Sequence, residues 1–219
     1  MRIEIRVTAE SPIHLSSGQA DVTVDTDVIH DAYGMPFFPG RRFKGLLYES
    51  AMEISEMGER SGIEVFSASS ANKLFHHDSD EADVQLVISN LYLMKKNEYQ
   101  ATCEAWKKVQ KKYAFLVQPQ DVLNEYSTVR YQTKLKDGVA VKGSLHNMRV
   151  VDAGVSFQGI MELNGKDAEA YLPILAAAVK NLSVAGLKRN RGFGQIRCTM
   201  KVMDTNRTER EILEEVLRV

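Results

Sequence analysis

Arg2-Ile3-Glu4-Ile5-Arg6-Val7-Thr8 opens the chain with charged or polar residues alternating with Ile and Val. A strand sends successive side chains to opposite faces, so this stretch reads as a strand with one buried and one solvated face. Such a strand needs a layer of helices over its apolar side, and two helical patterns supply it. Residues 41–54 have apolar positions at 43, 46, 47, 51 and 54, the i, i+3, i+4 spacing of an amphipathic helix. Residues 167–182 form the second, opening on Asp167. Pro173 lies inside it and lacks the N–H that a helix interior uses, so a kink or a late helix start is expected there.

Three more extended stretches complete the pattern, at 84–93, 155–163 and 192–203. The order strand, helix, strand, insertion, strand, helix, strand predicts an α+β domain over residues 1–219. Its core is ferredoxin-like (RRM-like), βαββαβ, with helices on one face. Two segments interrupt that core. Residues 55–83 are polar and irregular and read as a surface loop insertion with a short helical piece at 72–75. Residues 97–151 read as a helical and thumb-like insertion. A helix at 98–115 is followed by a break at Pro119, and then strands at 129–135 and 139–145 flank Lys136-Asp137-Gly138. Asp-Gly suits a tight two-residue turn, so this reads as a β-hairpin that forms a protruding arm. A further strand pair is expected between 148–151 and 155–163, across Asp152-Ala153-Gly154. The chain closes on an acidic amphipathic helix with apolar residues at 212, 213, 216 and 217.

No apolar run approaches the roughly 18 residues of a membrane span, and residues 1–10 lack the apolar core of a signal peptide. A cytoplasmic protein without a membrane partner is expected. Cys103 and Cys198 lie far apart with no CxxC neighbours, which argues against a zinc module or a disulfide scaffold and for two core-filling thiols. A net charge of −1 gives no global attraction to nucleic acid, so any such binding must come from clustered cations. The clusters are Arg41/Arg42/Lys44, Lys107/Lys108/Lys111/Lys112 and Lys188/Arg189/Arg191. The middle one reads as a solvated helix face. The others sit beside glycines.

Ala185-Gly186-Leu187-Lys188-Arg189-Asn190-Arg191-Gly192-Phe193-Gly194 combines three glycines with three cations between the second helix and the last strand. Glycine lets backbone approach a ligand closely, exposed N–H groups cradle phosphate, and arginine forks it. The bland alternative is a basic helix-to-strand turn. The loop lacks the P-loop pattern and does not open a helix after a strand, which disfavours a nucleotide cofactor. Gly34-Met35-Pro36-Phe37-Phe38-Pro39-Gly40-Arg41-Arg42-Phe43-Lys44-Gly45 leads a glycine-proline turn into a cationic helix N-terminus, where unpaired amides favour phosphate. The candidate RNA contacts are Arg41, Arg42, Lys44, Lys188, Arg189 and Arg191, with Gly40, Gly45, Gly192 and Gly194 allowing close approach.

These two stretches, in this order, resemble the RAMP superfamily of CRISPR proteins. Its members share a Gly-x-Pro-x-x-Pro-Gly-x-x-x-Lys-Gly turn before the first helix and a glycine-rich basic loop near the C-terminus. Pro12-Ile13-His14-Leu15-Ser16-Ser17-Gly18 is similar to the family's Pro-x-His-x-x-x-Gly element. Asp25-Thr26-Asp27-Val28-Ile29-His30-Asp31 is similar to the Asp-x-x-Val-Ile-x-Asp segment of type III effector backbone subunits. The resemblance implies a crRNA-binding subunit that contacts target RNA and sibling type III effector subunits, with the hairpin as a thumb. It also implies that Asp25 is catalytic and a metal ligand, an endoribonuclease acting with Mg²⁺. Elementary chemistry agrees: one aspartate beside bound RNA can hold a hydrated divalent ion near a phosphate.

Other readings stay open at this point. Asp25, Asp27 and Asp31 are equally polar loop residues of a non-catalytic scaffold or cap. His14 and His30 are the acid and base in the family's crRNA-processing branch, and a ferredoxin-like module that only binds protein is the third possibility. His76-His77-Asp78 lacks partners at ligand spacing and reads as surface.

Overall fold

The computed structural model describes residues 1–18, 24–75, 84–94 and 96–217. In chain order the elements are β1 (Arg2–Ala9), α1 (Gly40–Ser61), α2 (Ala68–Phe75), β2 (Val84–Ile88), α3 (Lys96–Lys112), α4 (Pro119–Asn124) and β3 (Ser127–Gln132). They continue with β4 (Leu135–Lys136), β5 (Val139–Ala140), β6 (His146–Val151), β7 (Ser156–Gly165), α5 (Leu172–Asn181), β8 (Ile196–Val202) and α6 (Glu209–Leu217).

β1 buries Ile3, Ile5, Val7 and Ala9 and leaves Arg2 and Arg6 exposed, the alternation its sequence carries. It pairs antiparallel with β7 on one side and β8 on the other, and β2 pairs antiparallel with β7. The sheet order β2-β7-β1-β8 is the ferredoxin-like order for a βαββαβ chain. α1 and α5 pack together over its apolar face, where Phe38 meets Phe43 and Phe157 edge to face with ring centroids 5.4 and 6.3 Å apart. α5 begins late, as Pro173 requires: a 3₁₀ turn at Ala168–Tyr171 precedes it, and the proline occupies the first helical turn, where its missing N–H goes unused. α6 packs against α5 and β8. No helix among the described residues is long and apolar enough to cross a membrane.

Three elements differ from the sequence-based expectation. α1 does not stop at 54 but runs to Ser61 and closes on Gly62 in the left-handed region, and α2 buries Ala71, Leu74 and Phe75 beside Phe66. Much of 55–83 is therefore helix that feeds the core, because a few apolar residues buried on one side suffice among many polar ones. His76, His77 and Asp78 lie outside the described residues. Residues 148–151 do not pair with 155–163: β6 pairs with β3 in a separate small sheet. The turn 152–154 instead hands the chain from that sheet to the main one, with the Asp152 amide donating to Tyr126 and the Gly154 amide to Ala9. Cys198 fills the core, whereas Cys103 is only half-buried, on α3 beside Tyr99.

The arm is present. Asp137 and Gly138 both have positive φ, 52° and 79°, as a two-residue hairpin turn demands, and β4 and β5 flank them in the register Leu135 to Ala140 and Lys136 to Val139. Residues 133–143 are exposed throughout.

Candidate nucleic-acid interface

The turn that starts α1 is built around Asp31. Its Oδ1 accepts from the amides of Tyr33 (2.8 Å) and Met35 (2.9 Å), and its Oδ2 accepts from the Tyr99 hydroxyl at 2.7 Å. Burial and then this carboxylate push the Tyr99 phenol well above its usual range. Asp31 thus holds the turn and ties α3 to it. Gly34 sits at the bend with φ of 92°, and a Cβ there would stand 1.9 Å from the Pro119 carbonyl oxygen, so only glycine fits.

At the helix start the cations diverge. Arg41 is exposed, Arg42 donates through Nη1 to the Ser16 carbonyl, and Lys44 donates to the Leu86 carbonyl on β2 at 2.9 Å, where burial lowers its pKa. Gly40 donates to Asn90 Oδ1, and the space a side chain would take is filled by the carbonyls of Ile88 and Ser89. The close approach it permits is therefore to the protein's own backbone. Gly45 faces open space.

The basic loop carries exposed Arg189 and Arg191 in a short 3₁₀ turn, with Gly192 facing open space. Gly194, with φ of 78°, packs on Ala185, whose carbonyl oxygen lies 2.0 Å from where a Cβ would stand. Lys188, itself at positive φ, reaches away from them. Its ammonium donates to Gln132 Oε1 on β3 at 2.6 Å and lies 3.3 Å from His146 Nε2 on β6. Burial, then Arg191, lowers the Lys188 pKa.

Beneath the loop lies the 12–18 segment: Leu187 donates to the His14 carbonyl and Gly194 to that of Pro12. The His14 ring is buried, with Nδ1 2.6 Å from the Arg149 carbonyl and Nε2 without a partner. A carbonyl only accepts, so Nδ1 holds the proton of the neutral ring. Burial is the largest cause of its lowered pKa; Lys188 and Arg42 act the same way, while the Arg149 carbonyl and Asp27 oppose. His30 binds the Asp31 carbonyl through its own Nδ1 at 2.7 Å.

The three aspartates have different surroundings. Asp27 is buried against Arg149, with Nε to Oδ1 at 3.0 Å, while Arg149 Nη1 donates to Asn124 and Ser127. Asp31 belongs to the turn. Asp25 is exposed, its amide donating to Asn147 Oδ1 (2.7 Å) and its Oδ2 accepting from the Asn147 amide (2.8 Å). Thr26 bridges in parallel to Met148, so residues 25–27 lie along the free edge of β6. The small sheet thus gathers Lys188 of the loop, the base of the arm and Asp25. Gln132, His146, Asn147 and Arg149 were not singled out from the sequence; a chemically mixed hairpin strand carries no motif that marks them.

The family model described as the RAMP superfamily matches residues 6–197. The chain belongs to the RAMP superfamily. No curated protein matches it. Among solved structures, this RAMP chain resembles one in the cryo-EM structure of a type III-B Cmr-beta complex bound to cognate target RNA. The TM-score is 0.61 at 12% identity, over 97% of this chain and 98% of that one. It also resembles a chain of the apo-state Cmr-beta structure, with TM-score 0.59 and 13% identity over 90% and 96% of the two chains. At such identities the likeness establishes the shared fold.

Proposed function

We propose that this RAMP protein is a crRNA-binding subunit of a type III CRISPR effector complex that contacts target RNA and sibling subunits and cleaves the target through Asp25. One observation carries the reading: the exposed basic loop, the exposed arm and the exposed Asp25 all converge on the small sheet of β3 and β6. A similar chain in a complex solved with cognate target RNA supports it. Arg41, Arg189 and Arg191 are free to fork phosphates, and the Lys188 ammonium, with two of its three N–H donors directed at Gln132 and His146, has a third to offer one.

Mg²⁺ usually binds through one or two carboxylates, with water and substrate phosphates filling its other positions. Among the described residues no three acidic, histidine or cysteine side chains cluster as a metal cage. Asp25, exposed and singly anchored, fits an ion that RNA completes, and such an ion would supply charge stabilisation at a scissile phosphate. The chain's own part is to seat the RNA backbone on the loop and hold one carboxylate beside it.

The test is expression with the neighbouring effector genes and a CRISPR array, extraction of bound RNA, and target cleavage with and without Mg²⁺. Bound crRNA with cuts that vanish in Asp25→Ala, at unchanged RNA affinity, supports the whole reading. Bound crRNA with no cuts leaves a scaffold or cap, as the structural anchoring of Asp25 by Asn147 would also allow. Full cutting by Asp25→Ala refutes the assignment of Asp25, and absence of bound RNA refutes the binding role.

A further inference from the structure

His146 and Asn147 are adjacent on β6, yet each serves a different functional element. His146 Nδ1 lies 3.1 Å from the Ser144 carbonyl, which can only accept, so Nδ1 carries the proton and Nε2 turns its lone pair to the Lys188 ammonium 3.3 Å away. Gln132, the cross-strand partner of His146, supplies the nearer contact to that ammonium at 2.6 Å. Asn147 faces the other edge. Its side chain accepts from the Asp25 amide and its amide donates to the Asp25 carboxylate, a reciprocal pair that fixes both the backbone and the side chain of Asp25. The Arg149 amide, two residues on, donates to Thr26 and keeps the segment in register.

We infer that His146 and Asn147 are positioning residues that hold the basic loop and the Asp25 carboxylate in one register on the small sheet, so that RNA seated on the loop presents a backbone linkage to Asp25. This rests on the function proposed above and adds two residues to it. Gln132 and His146 face each other on the paired strands β3 and β6, and Asp25 lies against the outer edge of β6 beside the Thr26–Met148 bridge. At about 4.8 Å per strand, the loop's anchor and the carboxylate are held roughly 5–10 Å apart. Neither residue needs to touch RNA. Their effect is geometric, and a misplacement of about 1 Å costs on the order of 100-fold in rate.

The full-length protein, assembled with crRNA and target RNA, is the material for the test. Asn147→Ala is expected to lower the cleavage rate constant on the order of 100-fold with RNA affinity unchanged. Asn147→Ser keeps a side-chain oxygen able to accept from the Asp25 amide and is expected to recover part of that rate. In the free protein, hydrogen exchange of the Asp25 amide should speed up in Asn147→Ala and slow again in Asn147→Ser, a readout independent of cleavage. His146→Ala lowers the rate constant and leaves the salt dependence of RNA binding unchanged, since no phosphate contact is lost. Equal losses of affinity and rate in Asn147→Ala, or unchanged exchange of the Asp25 amide in that variant, overturn the inference. Full cleavage by Asp25→Ala overturns the catalytic reading and the inference with it; cleavage that needs Asp25 but ignores Asn147→Ala overturns the inference alone.

Discussion

Removing the Asp27 carboxylate should destabilise the fold far more than removing that of Asp25 two residues away. Arg149 and Asp27 have side chains only 4% and 9% exposed, with Nε and Oδ1 3.0 Å apart. Asp27→Ala strands a guanidinium that retains Asn124 and Ser127 as acceptors but has no counter-charge. Breaking a buried pair from one side costs about 3–5 kcal/mol. At about 2–4 °C per kcal/mol for a chain of this size, the melting temperature falls by roughly 6–20 °C. Asp27→Asn keeps an acceptor for the Val28 amide and should fall in between. The double variant Asp27→Ala/Arg149→Met, with neither charge buried, should recover most of the loss, because both desolvation costs vanish together. Urea and thermal unfolding followed by circular dichroism give all four values. A loss below about 1 kcal/mol for Asp27→Ala, the level of a surface pair, or a double variant no better than the single, would refute the reasoning. Asp25→Ala, at an exposed position, should unfold close to the wild-type midpoint.

Lys188→Ala should weaken RNA binding at every sequence alike and flatten the slope of log affinity against log salt by about one unit; a filter-binding series from low to high salt measures it, and an unchanged slope contradicts the assignment. His14 takes up a proton less readily folded than unfolded, because burial and two nearby cations disfavour the charged ring. The unfolded chain therefore binds more protons as pH falls below about 6.5, and stability declines there by at most about 1.4 kcal/mol per pH unit; His14→Gln should remove that slope in unfolding experiments between pH 7 and 5. Gly34→Ala places a methyl on the Pro119 carbonyl at a φ that L-residues avoid, and a loss of several kcal/mol, about 3 or more, is expected by urea unfolding. Burial pushes the Cys198 thiol up to about 12, so alkylation at neutral pH should await unfolding, as mass spectrometry after iodoacetamide treatment would show.

The core was legible in the sequence because periodicity is a local property. Ile3, Ile5 and Val7 alternate, Phe43, Leu47 and Ala51 recur at helical spacing, and Pro173 delays its helix by simple backbone chemistry. Strand partners were less legible, since pairing depends on what lies between. Residues 148–151 and 155–163 are separated by a good turn sequence, yet β1 offers β7 a long antiparallel edge and β3 offers β6 another.

The site divides along the same line. Lys188, Arg189 and Arg191 stand in a run whose glycines announce a loop, and Asp25 stands in a recognisable motif. Their supports do not, and the hairpin shows why. Counted outward from Asp137-Gly138 in the register of β4 and β5, Gln132 should face Gly143. The turn at Val141–Ser144, with Gly143 at positive φ, shifts the register so that Gln132 faces His146 instead. That shift brings an acceptor pair under Lys188 and sets Asn147 against Asp25. Shortening the 141–145 turn by three residues would restore simple pairing and leave the arm intact. Gln132 would still face His146 and Asn147 would still follow it, so the loop's anchor and the carboxylate's stay together. RNA binding and cleavage should both survive in that variant, whereas Asn147→Ala loses cleavage alone.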